Sequence, residues 1–310
     1  MSLSPKSQVI CLVGPTASGK TELAIELAQR INAEIISADS MQVYRGMDIL
    51  SAKPTKAQRK LIPHHLIDIL NPEEEYSAAI FAGLAGQHIK EILQRGNVPL
   101  IVGGTGLYVR ALVHGLFEEK GKDEKLRQEL QQRADAEGND SLFKELKKVD
   151  PETALTIDPH NDRRLIRALE VFYVNHVPLS ELKKQAKGIA AQYEVKMFGI
   201  SRERDELYAR IDKRVEQMFS QGIVEEVKKL IALPLSKTAL QALGIKQIQG
   251  YLKGAYSLEE SQDLLKRDTR HFAKRQMTWF GNKEKVQWIS VTSHDSIPDV
   301  AARLTNNIPA

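Results

Sequence analysis

Short apolar runs and amphipathic stretches alternate along the first third of the chain. Short apolar runs occupy residues 8–13 and 33–37, whereas residues 20–32 place apolar side chains at helical spacing. A short apolar run is typical of a strand buried on both faces, and a spacing of three and four residues is typical of an amphipathic helix. The predicted strands are 8–13, 33–37, a weaker one at 65–70 and 97–102, and the predicted helices are 20–32 and 78–95. This alternation predicts a parallel sheet with helices on both faces.

The pattern changes after residue 113. Residues 120–187 show helical periodicity and many charges, but no convincing strand. A strand-like segment then returns the chain to the sheet. The later predicted elements are a strand at 193–201, a long charged helix at 203–230, a helix at 258–280 and a last strand at 285–291. After residue 291 the pattern fits a helix and a frayed end equally well.

The length and the pattern together define a domain organisation. A chain of 310 residues is long for one domain, so a large domain with an insertion is expected. We predict an α/β core formed by residues 1–113 and 193–310, with an inserted all-helical domain at 114–192. The 44 Lys and Arg residues exceed the 40 Asp and Glu residues by only four. That balance is compatible with a nucleic-acid partner but does not require one.

Cysteine content and hydropathy favour a location inside the cell. Cys11 is the single cysteine, so the chain can form no internal disulfide and no zinc site of the usual Cys/His spacing. The first apolar run is short and leads directly into a glycine loop, which is unlike a signal peptide. No stretch approaches the roughly 20 apolar residues that span a bilayer. We therefore expect a cytoplasmic protein.

Residues 14–21, GPTASGKT, match the phosphate-binding pattern G-x-x-x-x-G-K-[ST] at every fixed position. They lie between a predicted strand and a predicted helix, which is the context that this motif requires. Glycines let backbone N–H groups turn towards an anion, and the helix N-terminus adds partial positive charge. The predicted phosphate-binding residues are Gly14, Pro15, Thr16, Ala17, Ser18, Gly19, Lys20 and Thr21. Lys20 would neutralise phosphate oxygens, the Thr21 hydroxyl would ligate Mg²⁺, and the core is predicted to be P-loop NTPase-like.

One carboxylate typical of ordinary P-loop NTPases is missing. Those enzymes carry an Asp at a strand end that helps to hold magnesium, but the strand at 97–102 runs into Gly103-Gly104-Thr105. The carboxylate that does follow a strand is Asp39, after residues 33–37. We predict that this strand lies next to the phosphate-loop strand, which would direct Asp39 into the ligand crevice. A role for Asp39 in a turn or a helix cap is the alternative.

Five segments occur in an order that resembles one known family. They are GPTASGKT, SADSMQVYRGMDI with AKPT, PLIVGGTGLYVRALV, RRLIRALEV and KRQMTWF. With these segments the chain resembles the tRNA dimethylallyltransferases, the bacterial tRNA isopentenyltransferases, from about residue 8 to residue 290. One departure is visible. Before AKPT the family usually has Gly-Thr, whereas this chain has Leu50-Ser51, which bears on the geometry of that loop alone.

The resemblance implies a reaction. A dimethylallyl group would pass from dimethylallyl diphosphate to the exocyclic N6 of the adenosine 3′ of the anticodon, in tRNAs that read codons beginning with U. Negative charge would develop on the departing diphosphate, where Lys20, Thr21 and Mg²⁺ would stabilise it. The adenine amine is a weak nucleophile, so a base must accept its proton, and the resemblance assigns Asp39 to that role.

Two more site residues follow from the resemblance. The Thr105 hydroxyl would lie in the reaction channel, although a threonine just before a helix is also a good N-cap. Arg214 would contact the diphosphate and act in catalysis. Arg210 lies one helical turn earlier, and we expect it only to pair with Glu206 on an exposed face.

A tRNA site is also implied, because an adenine within a stacked loop must be extruded to reach a buried diphosphate. The Gln42 amide would read a base edge, and Met41 would pack against a base face. The residues expected to bind tRNA are Asp39, Ser40, Met41, Gln42, Thr105, Arg127, Arg163, Arg164, Arg167, Gln241, Gly244 and Lys246. For the arginines, a solvated charged surface is the alternative. The basic helix at 258–280 is expected both to lie near the channel and to pack on the core.

Three other functions share parts of this pattern. A P-loop small-molecule kinase would use the same loop on a nucleoside triphosphate. An adenylate isopentenyltransferase would use a free nucleotide as acceptor. A non-catalytic RNA-binding protein would keep the loop without using it. The favoured partners are dimethylallyl diphosphate and the anticodon stem-loop of tRNA, without a membrane or an obligate protein partner, and the protein is expected to be a monomer.

Overall fold

The computed structural model, which describes residues 6–117, 121 and 123–308, contains a six-stranded sheet in which every strand pair is parallel. The ends of the predicted core, 1–5 and 309–310, and residues 118–120 and 122 of the predicted insertion lie outside the described residues. The strands are β1 (Gln8–Val13), β2 (Ala33–Ser37), β3 (His64–His65), β4 (Val98–Gly103), β5 (Glu194–Ser201) and β6 (Gln287–Ser290). Their order across the sheet is β3-β2-β4-β1-β5-β6.

Helices make up most of the rest of the described chain. They are α1 (Lys20–Arg30), α2 (Lys56–Leu61), α3 (Ala78–Gln94), α4 (Gly106–His114), α5 (Glu124–Glu137), α6 (Asn139–Val149), α7 (Pro151–Ala154), α8 (Asp162–Asn175), α9 (Leu179–Gln185), α10 (Arg204–Ser220), α11 (Ile223–Leu230), α12 (Ile245–Leu252), α13 (Leu258–Lys283) and α14 (Ile297–Thr305). Two short 3₁₀ helices lie at Ile189–Ala191 and Ala239–Gln241. In the part of the chain that the structure describes, none of these helices is both long and apolar enough to span a membrane.

Strand β1 is buried on both faces, as its continuous apolar sequence predicts. Val9, Cys11 and Val13 belong to the hydrophobic core on one face, and Ile10 and Leu12 belong to the core on the other. All five side chains are fully buried. A parallel strand covered on both faces has no polar side to present to water, which is why its pattern does not alternate. The predicted α/β fold is confirmed.

The strand order corrects one prediction. The strand that carries Asp39 was expected to lie next to β1, but β4 lies between β1 and β2. Pairing of Ile10 with Leu100 and of Leu100 with Ile35 fixes that order. Because every strand is parallel, Asp39 still follows a strand at the same edge of the sheet as the phosphate loop, one strand further away. The neighbours of β1 are β4 and β5.

Two predicted elements differ clearly in extent. In place of the strand predicted at 65–70 there is a two-residue strand, His64–His65, since Leu66 and Asp68 take positive φ angles of 62° and 57° that end the extended backbone. The helix predicted at 203–230 is two helices, α10 and α11, separated at Gly222, whose φ is 93°. A left-handed glycine ends a helix rather than continuing it. The segment after residue 291 contains a helix, α14.

The chain divides into two compact units. One consists of Met1–Val113 and Ile189–Ala310 and contains the sheet, and the other is His114–Gly188. The second unit holds α5 to α9 around its own hydrophobic core, which includes Leu130, Leu142 and Leu165. Its buried carboxylates are held internally: Asp150 caps α7 and also accepts a bond from the Ser180 backbone N–H. Each unit therefore has the interior of an independent folding unit.

Candidate active site at the carboxyl edge of the sheet

The loops that follow β1, β2 and β4 meet at the carboxyl edge of the sheet. They are the phosphate loop 14–19, the segment 38–42 and the segment 103–105. In a parallel sheet all strands end at this edge, which is where open α/β sheets bind ligands. The predicted site residues Lys20, Asp39 and Thr105 therefore come from three different strand ends.

Three residues of the phosphate loop have positive φ angles, and two of them are glycines, which adopt such angles without strain. Gly14 has a φ of 145°, and a Cβ there would lie 2.8 Å from the Ile200 carbonyl oxygen. Gly19, with a φ of 97°, is the N-cap of α1. Ala17 adopts a positive φ of 62° between them. Thr21 lies in the first turn of α1, so its hydroxyl is close to the helix N-terminus that an anion would approach.

Lys20 closes the loop from inside. Its ammonium Nζ donates to the carbonyl oxygens of Gly14 at 2.9 Å and Pro15 at 2.6 Å. Removal from water, together with the nearby Arg214 guanidinium, lowers the pKa of Lys20 to about 7, although the carboxylates of Asp39 and Glu22 oppose that change. The lysine is therefore poised to gain a proton when an anion arrives.

Arg214 belongs to the same electrostatic group. Burial lowers its pKa from the ordinary value, and Asp39 and Glu22 act in the opposite direction. Lys20, Arg214 and Asp39 thus influence one another, although they come from three separate elements. The carboxylates of Asp39 and Glu22 therefore lie near two basic side chains, and the phosphate loop brings the start of α1, with its partial positive charge, to the same place.

Two further arginines hold the phosphate loop from outside. Arg202, whose side chain is only 5% exposed, donates from Nε to the Ser18 carbonyl oxygen at 2.8 Å and pairs with Glu206. Arg210 donates from Nε to the Ala17 carbonyl oxygen at 2.8 Å. The predicted pairing of Arg210 with Glu206 is therefore wrong, because Glu206 is taken by Arg202, which also lies four residues away. The sequence spacing could not decide between these two partners.

The Ser18 side chain adds a further feature of a ligand site. Its hydroxyl is buried, with the residue 1% exposed, and it has no hydrogen-bond partner among the described residues. A buried hydroxyl that lacks a protein partner is costly unless a ligand or water satisfies it. The atom therefore fits a loop that is completed by a bound anion.

Asp39 forms a tight turn at the end of β2. Its carboxylate Oδ1 accepts the backbone N–H groups of Met41 at 2.8 Å and Gln42 at 3.3 Å. This is the Asx turn that was the alternative for this residue. The turn fixes the carboxylate at the carboxyl edge, and one oxygen is enough to make both bonds. A structural role for Oδ1 and a chemical role for Oδ2 are compatible.

Thr105 connects β4 to the Asp39 turn. Its backbone N–H donates to the Ala38 carbonyl oxygen at 3.3 Å, and its hydroxyl oxygen accepts the Ser40 N–H at 3.2 Å. The segments approach so closely that a Cβ at Gly103 would lie 2.2 Å from the same Ala38 oxygen. Although Thr105 directly precedes α4, its hydroxyl does not cap that helix. It holds the turn that contains Asp39.

Two residues predicted to meet a base have partners within the protein. Met41 is half-buried and packs against the main hydrophobic core. The Gln42 side-chain oxygen accepts the Ser37 hydroxyl at 2.9 Å. Both therefore shape the turn around Asp39, and their contacts with RNA stay predictions.

The Leu50-Ser51 departure is accommodated by local packing. Leu50 is buried, and its Cδ1 lies 2.5 Å from the position that a Cβ on Gly244 would occupy. The Ser51 hydroxyl donates to the Met47 carbonyl oxygen at 2.5 Å. The Glu226 carboxylate accepts the N–H groups of residues 48, 49 and 50 at 3.0, 2.9 and 2.8 Å. Gly244 thus has a packing reason to be glycine, while its predicted neighbours in the tRNA set, Gln241 and Lys246, are exposed.

The predicted tRNA-binding arginines of the helical unit fall into two groups. Arg127 and Arg167 both bind the fully buried Glu170 carboxylate, at 2.8 Å from Arg127 Nε and 2.7 Å from Arg167 Nη1. Arg163 and Arg164 are exposed in the first turn of α8. The first pair therefore has a structural partner inside its own unit and is partly exposed, whereas the second pair is fully in the exposed class.

The donor set fits magnesium of the kind that binds with its substrate. Among the described residues no three His, Cys, Asp or Glu side chains cluster as a metal site. Mg²⁺ commonly takes one or two protein oxygens, substrate phosphate oxygens and water. The Thr21 hydroxyl, at the start of the helix that faces the anion, is a suitable protein ligand of this kind.

Sequence reasoning missed three residues that position the site: Arg202, Glu226 and Gln276. Gln276 is buried in α13, and its amide bonds both the phosphate loop and the Gly104 carbonyl. Its partners are 260 and 172 residues away in sequence, so no spacing rule could connect them. The available signal was its place in KRQMTWF, one of the segments that carry the family resemblance, but that segment does not reveal which groups the glutamine bonds.

The parallel sheet and the glycine loop that leads from β1 into α1 define a P-loop-like α/β protein. The chain belongs to the IPP transferase family, whose model matches residues 42–283. A second model, described as isopentenyl transferase, matches residues 7–65.

Proteins with known names are similar to this chain over almost its whole length. A tRNA dimethylallyltransferase of Alkaliphilus oremlandii is 45% identical over 299 residues, which is 96% of this chain and 95% of the relative. One from Halothermothrix orenii is 46% identical over 93% of this chain and 89% of the relative. The crystal structure of a tRNA isopentenylpyrophosphate transferase from Bacillus halodurans matches with a TM-score of 0.71 and 42% identity, over 97% of this chain and 96% of that one. A eukaryotic dimethylallyltransferase acting on tRNA matches with a TM-score of 0.80 and 28% identity, over 98% and 80%.

Proposed function

We propose that the protein is a tRNA dimethylallyltransferase that uses dimethylallyl diphosphate as donor and the exocyclic N6 of the adenosine 3′ of the anticodon as acceptor, in tRNAs reading codons that begin with U. One observation carries the proposal. The Asp39 turn and the phosphate loop that contains Lys20 follow parallel strands to the same edge of the sheet, so a carboxylate suited to act as a base and an anion-binding motif lie there together. A transferase with a diphosphate leaving group needs both.

The phosphate loop would bind the diphosphate. Lys20, released from the Gly14 and Pro15 carbonyls, would neutralise the charge that develops as the bond between C1 and the diphosphate oxygen breaks. Arg214 would add a second cation, and Arg202 and Arg210 would keep the loop in shape through its carbonyls. The Thr21 hydroxyl would hold a magnesium ion together with the diphosphate. The metal supplies charge neutralisation when it is bound.

Asp39 would act as the base. As N6 forms its bond to C1 of the dimethylallyl group, the electron pair of the broken C1–O bond leaves with the diphosphate, and the N6 proton passes to the Asp39 carboxylate. The Asx turn fixes this carboxylate through Oδ1, and the Thr105 hydroxyl holds the turn at Ser40. The geometry is set before substrate arrives, which lowers the cost of reaching the reactive arrangement.

The acceptor would be held by contacts of two kinds. Exposed arginines such as Arg163 and Arg164 would bind RNA phosphates and set its position, whereas the turn 39–42 would meet the extruded base. The remaining predicted tRNA contacts are proposed on the same grounds. Because tRNA is modified where it is made and used, we also propose that the protein works in the cytoplasm, and as a monomer.

Label transfer from radiolabelled dimethylallyl diphosphate tests this function. The acceptors are unmodified tRNA with adenosine 3′ of the anticodon, the same tRNA with guanosine at that position, AMP and ATP, all with Mg²⁺. We expect label only in the adenosine-containing tRNA, and its loss in the Asp39→Ala protein. Asp263→Ala, at an exposed position on α13, is the matched control and should retain activity. Label in AMP or ATP alone would indicate an adenylate isopentenyltransferase, and ATP turnover without label transfer would indicate a kinase.

A further inference from the structure

Gln276 lies between the two loops of the site and bonds both. Its side chain is 7% exposed on α13. The Thr16 backbone N–H donates to its Oε1 at 2.8 Å, and its Nε2 donates to the Gly104 carbonyl oxygen at 3.0 Å. A primary amide is the side chain that can accept from one backbone group and donate to another across a short gap. Leu, Met and Glu each lack at least one of these two capacities.

The helix packs tightly where it carries this residue. A Cβ at Gly104 would lie 2.2 Å from Gln276 Nε2, and a Cβ at Gly106 would lie 2.2 Å from Trp279 Cδ1. Gln276 and Trp279 are three residues apart and therefore share one face of α13. Glycine at 104 and 106 allows this face to approach the segment after β4. The contact is thus set by the glycines of one element and the side chains of the other.

Two hydrogen bonds and two short backbone steps connect Gln276 to the proposed base. Gly104 precedes Thr105, whose hydroxyl accepts the Ser40 N–H, and Ser40 directly follows Asp39. On its other side Gln276 holds Thr16, within the phosphate loop. One side chain thus links the two loops directly. The amide is therefore placed to set the distance between the anion site and the base.

We infer that Gln276 is a positioning residue that fixes the phosphate loop relative to the Asp39 turn, so that the base and the diphosphate are held at a reactive separation. The inference rests on the proposed function, because it concerns the same two substrates. Gln276 contacts neither reacting atom and acts through Thr16 and Gly104. Since misplacement of reacting groups by about 1 Å can cost about 100-fold in rate, loss of this link should reduce turnover more than binding.

The test uses Gln276→Met, which keeps an unbranched side chain of similar length and removes both hydrogen-bonding groups. Two controls separate positioning from stability. Ile92→Ala removes buried volume near the C-terminal end of α3, which leads into the amino end of β4, at the edge opposite the site. Gln262→Met makes the same chemical change at a partly exposed position of α13. For each protein, kcat, both KM values, the Tm and the stoichiometry of pyrophosphate binding are measured.

We expect Gln276→Met to lower kcat by about 10- to 100-fold, with the KM for tRNA within threefold of wild type and one pyrophosphate bound per chain. Ile92→Ala should lower the Tm at least as much and leave kcat within twofold. Gln262→Met should resemble wild type. A Gln276→Met protein whose kcat per pyrophosphate-binding site equals that of Ile92→Ala would overturn the inference, because the residue would then be merely structural.

A double-mutant cycle tests the route through Thr105. If Gln276 acts by holding the segment that positions the Asp39 turn, Gln276→Met and Thr105→Val should together cost less in kcat than the product of their separate effects. Multiplicative losses would show independent action and contradict the proposed route. Wild-type protein that fails to label tRNA would instead reject the proposed function. In that case the pyrophosphate stoichiometry still reports whether the anion site exists.

Discussion

At the scale of single residues, Lys20 is the group whose charge depends most on what occupies the site. In the free protein its ammonium lies beside another cation and bonds only to carbonyl oxygens. Its pKa of about 7 means that much of it is neutral above that pH. The lowered pKa also determines how the stability of the folded protein changes with pH. Between the folded value and the ordinary value of 10.5, the unfolded chain holds a proton that the folded chain lacks, so this group makes the free protein more stable as the pH rises through that interval.

Binding of an anion should raise the pKa of Lys20 again. Inorganic pyrophosphate favours the charged form of Lys20, so at pH 8 its binding should take up a proton that at pH 6 is already present, and its affinity should fall as the pH rises above 7. Calorimetry at pH 8 in two buffers with different ionisation enthalpies measures the uptake. Since pyrophosphate titrates in every experiment, the informative quantity is the wild-type uptake minus that of Lys20→Met. A difference of zero would contradict the lowered pKa.

Asp39 allows its structural and chemical roles to be separated. Asp39→Asn keeps an oxygen that can accept the Met41 and Gln42 N–H groups, so the turn should form as before. It removes the base, and kcat for label transfer should fall by about 10²- to 10⁴-fold. The Tm is measured in parallel and should stay near that of wild type. Full activity in this variant would assign the proton transfer to another group.

Glu170 gives a prediction for the helical unit. Its carboxylate is fully buried and holds both Arg127 and Arg167, whose side chains are about 30% exposed. Breaking a buried ion pair by removing one partner commonly costs about 3–5 kcal/mol, and partial exposure of the arginines reduces this. We expect Glu170→Ala to lower the free energy of unfolding by about 2–3 kcal/mol, measured by urea denaturation. Glu129→Ala, at an exposed position on α5, should change it by less than about 0.5 kcal/mol.

The sequence motif indicated which residues form the phosphate loop, but it could not show which distant residues hydrogen-bond to them. The spacing from Gly14 to Thr21 identified the phosphate loop because the motif is local. The pairing of Arg202 with Glu206 competed with an equivalent spacing to Arg210, and only the fold decides between them. The role of Gln276 depends on two distant backbone groups, so it could be found only from coordinates.

At the scale of elements, the segment 42–52 is ordered by contacts from α11. The Glu226 carboxylate binds three successive backbone N–H groups of this segment. Such a carboxylate acts as a cap does at a helix N-terminus, where it satisfies groups that would otherwise need water. Helix α11 can point Glu226 at the segment because the chain turns at Gly222 and does not continue α10.

Loss of that carboxylate should loosen the segment. We expect Glu226→Ala to speed limited proteolysis between residues 45 and 52 and to lower the free energy of unfolding by about 1–2 kcal/mol. Glu225→Ala is the matched control, since Glu225 is exposed on the same helix. Cleavage at the same rate in both variants would mean that packing of Leu50, not the carboxylate, orders the segment.

Local signals predicted the type of most elements, whereas ends and breaks depended on backbone conformation. Apolar runs and helical spacing located β1, β2, β4 and α1. The break at Gly222 was missed because charges continue at helical spacing on both sides of it. The strand after residue 65 was overestimated because nothing in its apolar sequence reveals the left-handed residues Leu66 and Asp68.

At the scale of the whole molecule, the net charge of +4 is small, so any affinity for RNA depends on where charges are exposed. Arg163 and Arg164 are exposed, whereas Arg127 and Arg167 are partly buried and bind the Glu170 carboxylate. Each phosphate contact contributes about 0.7–0.9 to the slope of log affinity against log salt concentration. We expect the Arg163→Ala/Arg164→Ala double variant to weaken tRNA binding and to reduce that slope by about 1.5. Lys144→Ala/Lys148→Ala, which removes two exposed charges from α6 of the same unit, should leave the slope unchanged.

The class of fold was predictable as a whole, and the strand order was not. Alternation of strands and helices favours a parallel sheet whichever strand lies next to β1. The position of β4 between β1 and β2 depends on how whole helices pack against both faces of the sheet. The sequence of a single segment does not reveal that packing. The wrong strand order did not affect the predicted grouping of the site residues, because parallel strands end at the same edge of a sheet in any order.

The position of β1 has a consequence for synthesis on the ribosome. This strand pairs with β4 on one side and with β5 on the other, and the chain makes all five helices of the second unit between them. At about 5–20 residues per second, the roughly one hundred residues from β4 to β5 take about 5–20 s to emerge. During that time a nascent sheet would expose the apolar edge of β1 to other chains. The inserted helical unit therefore lengthens the time during which the incomplete nascent chain is prone to aggregate.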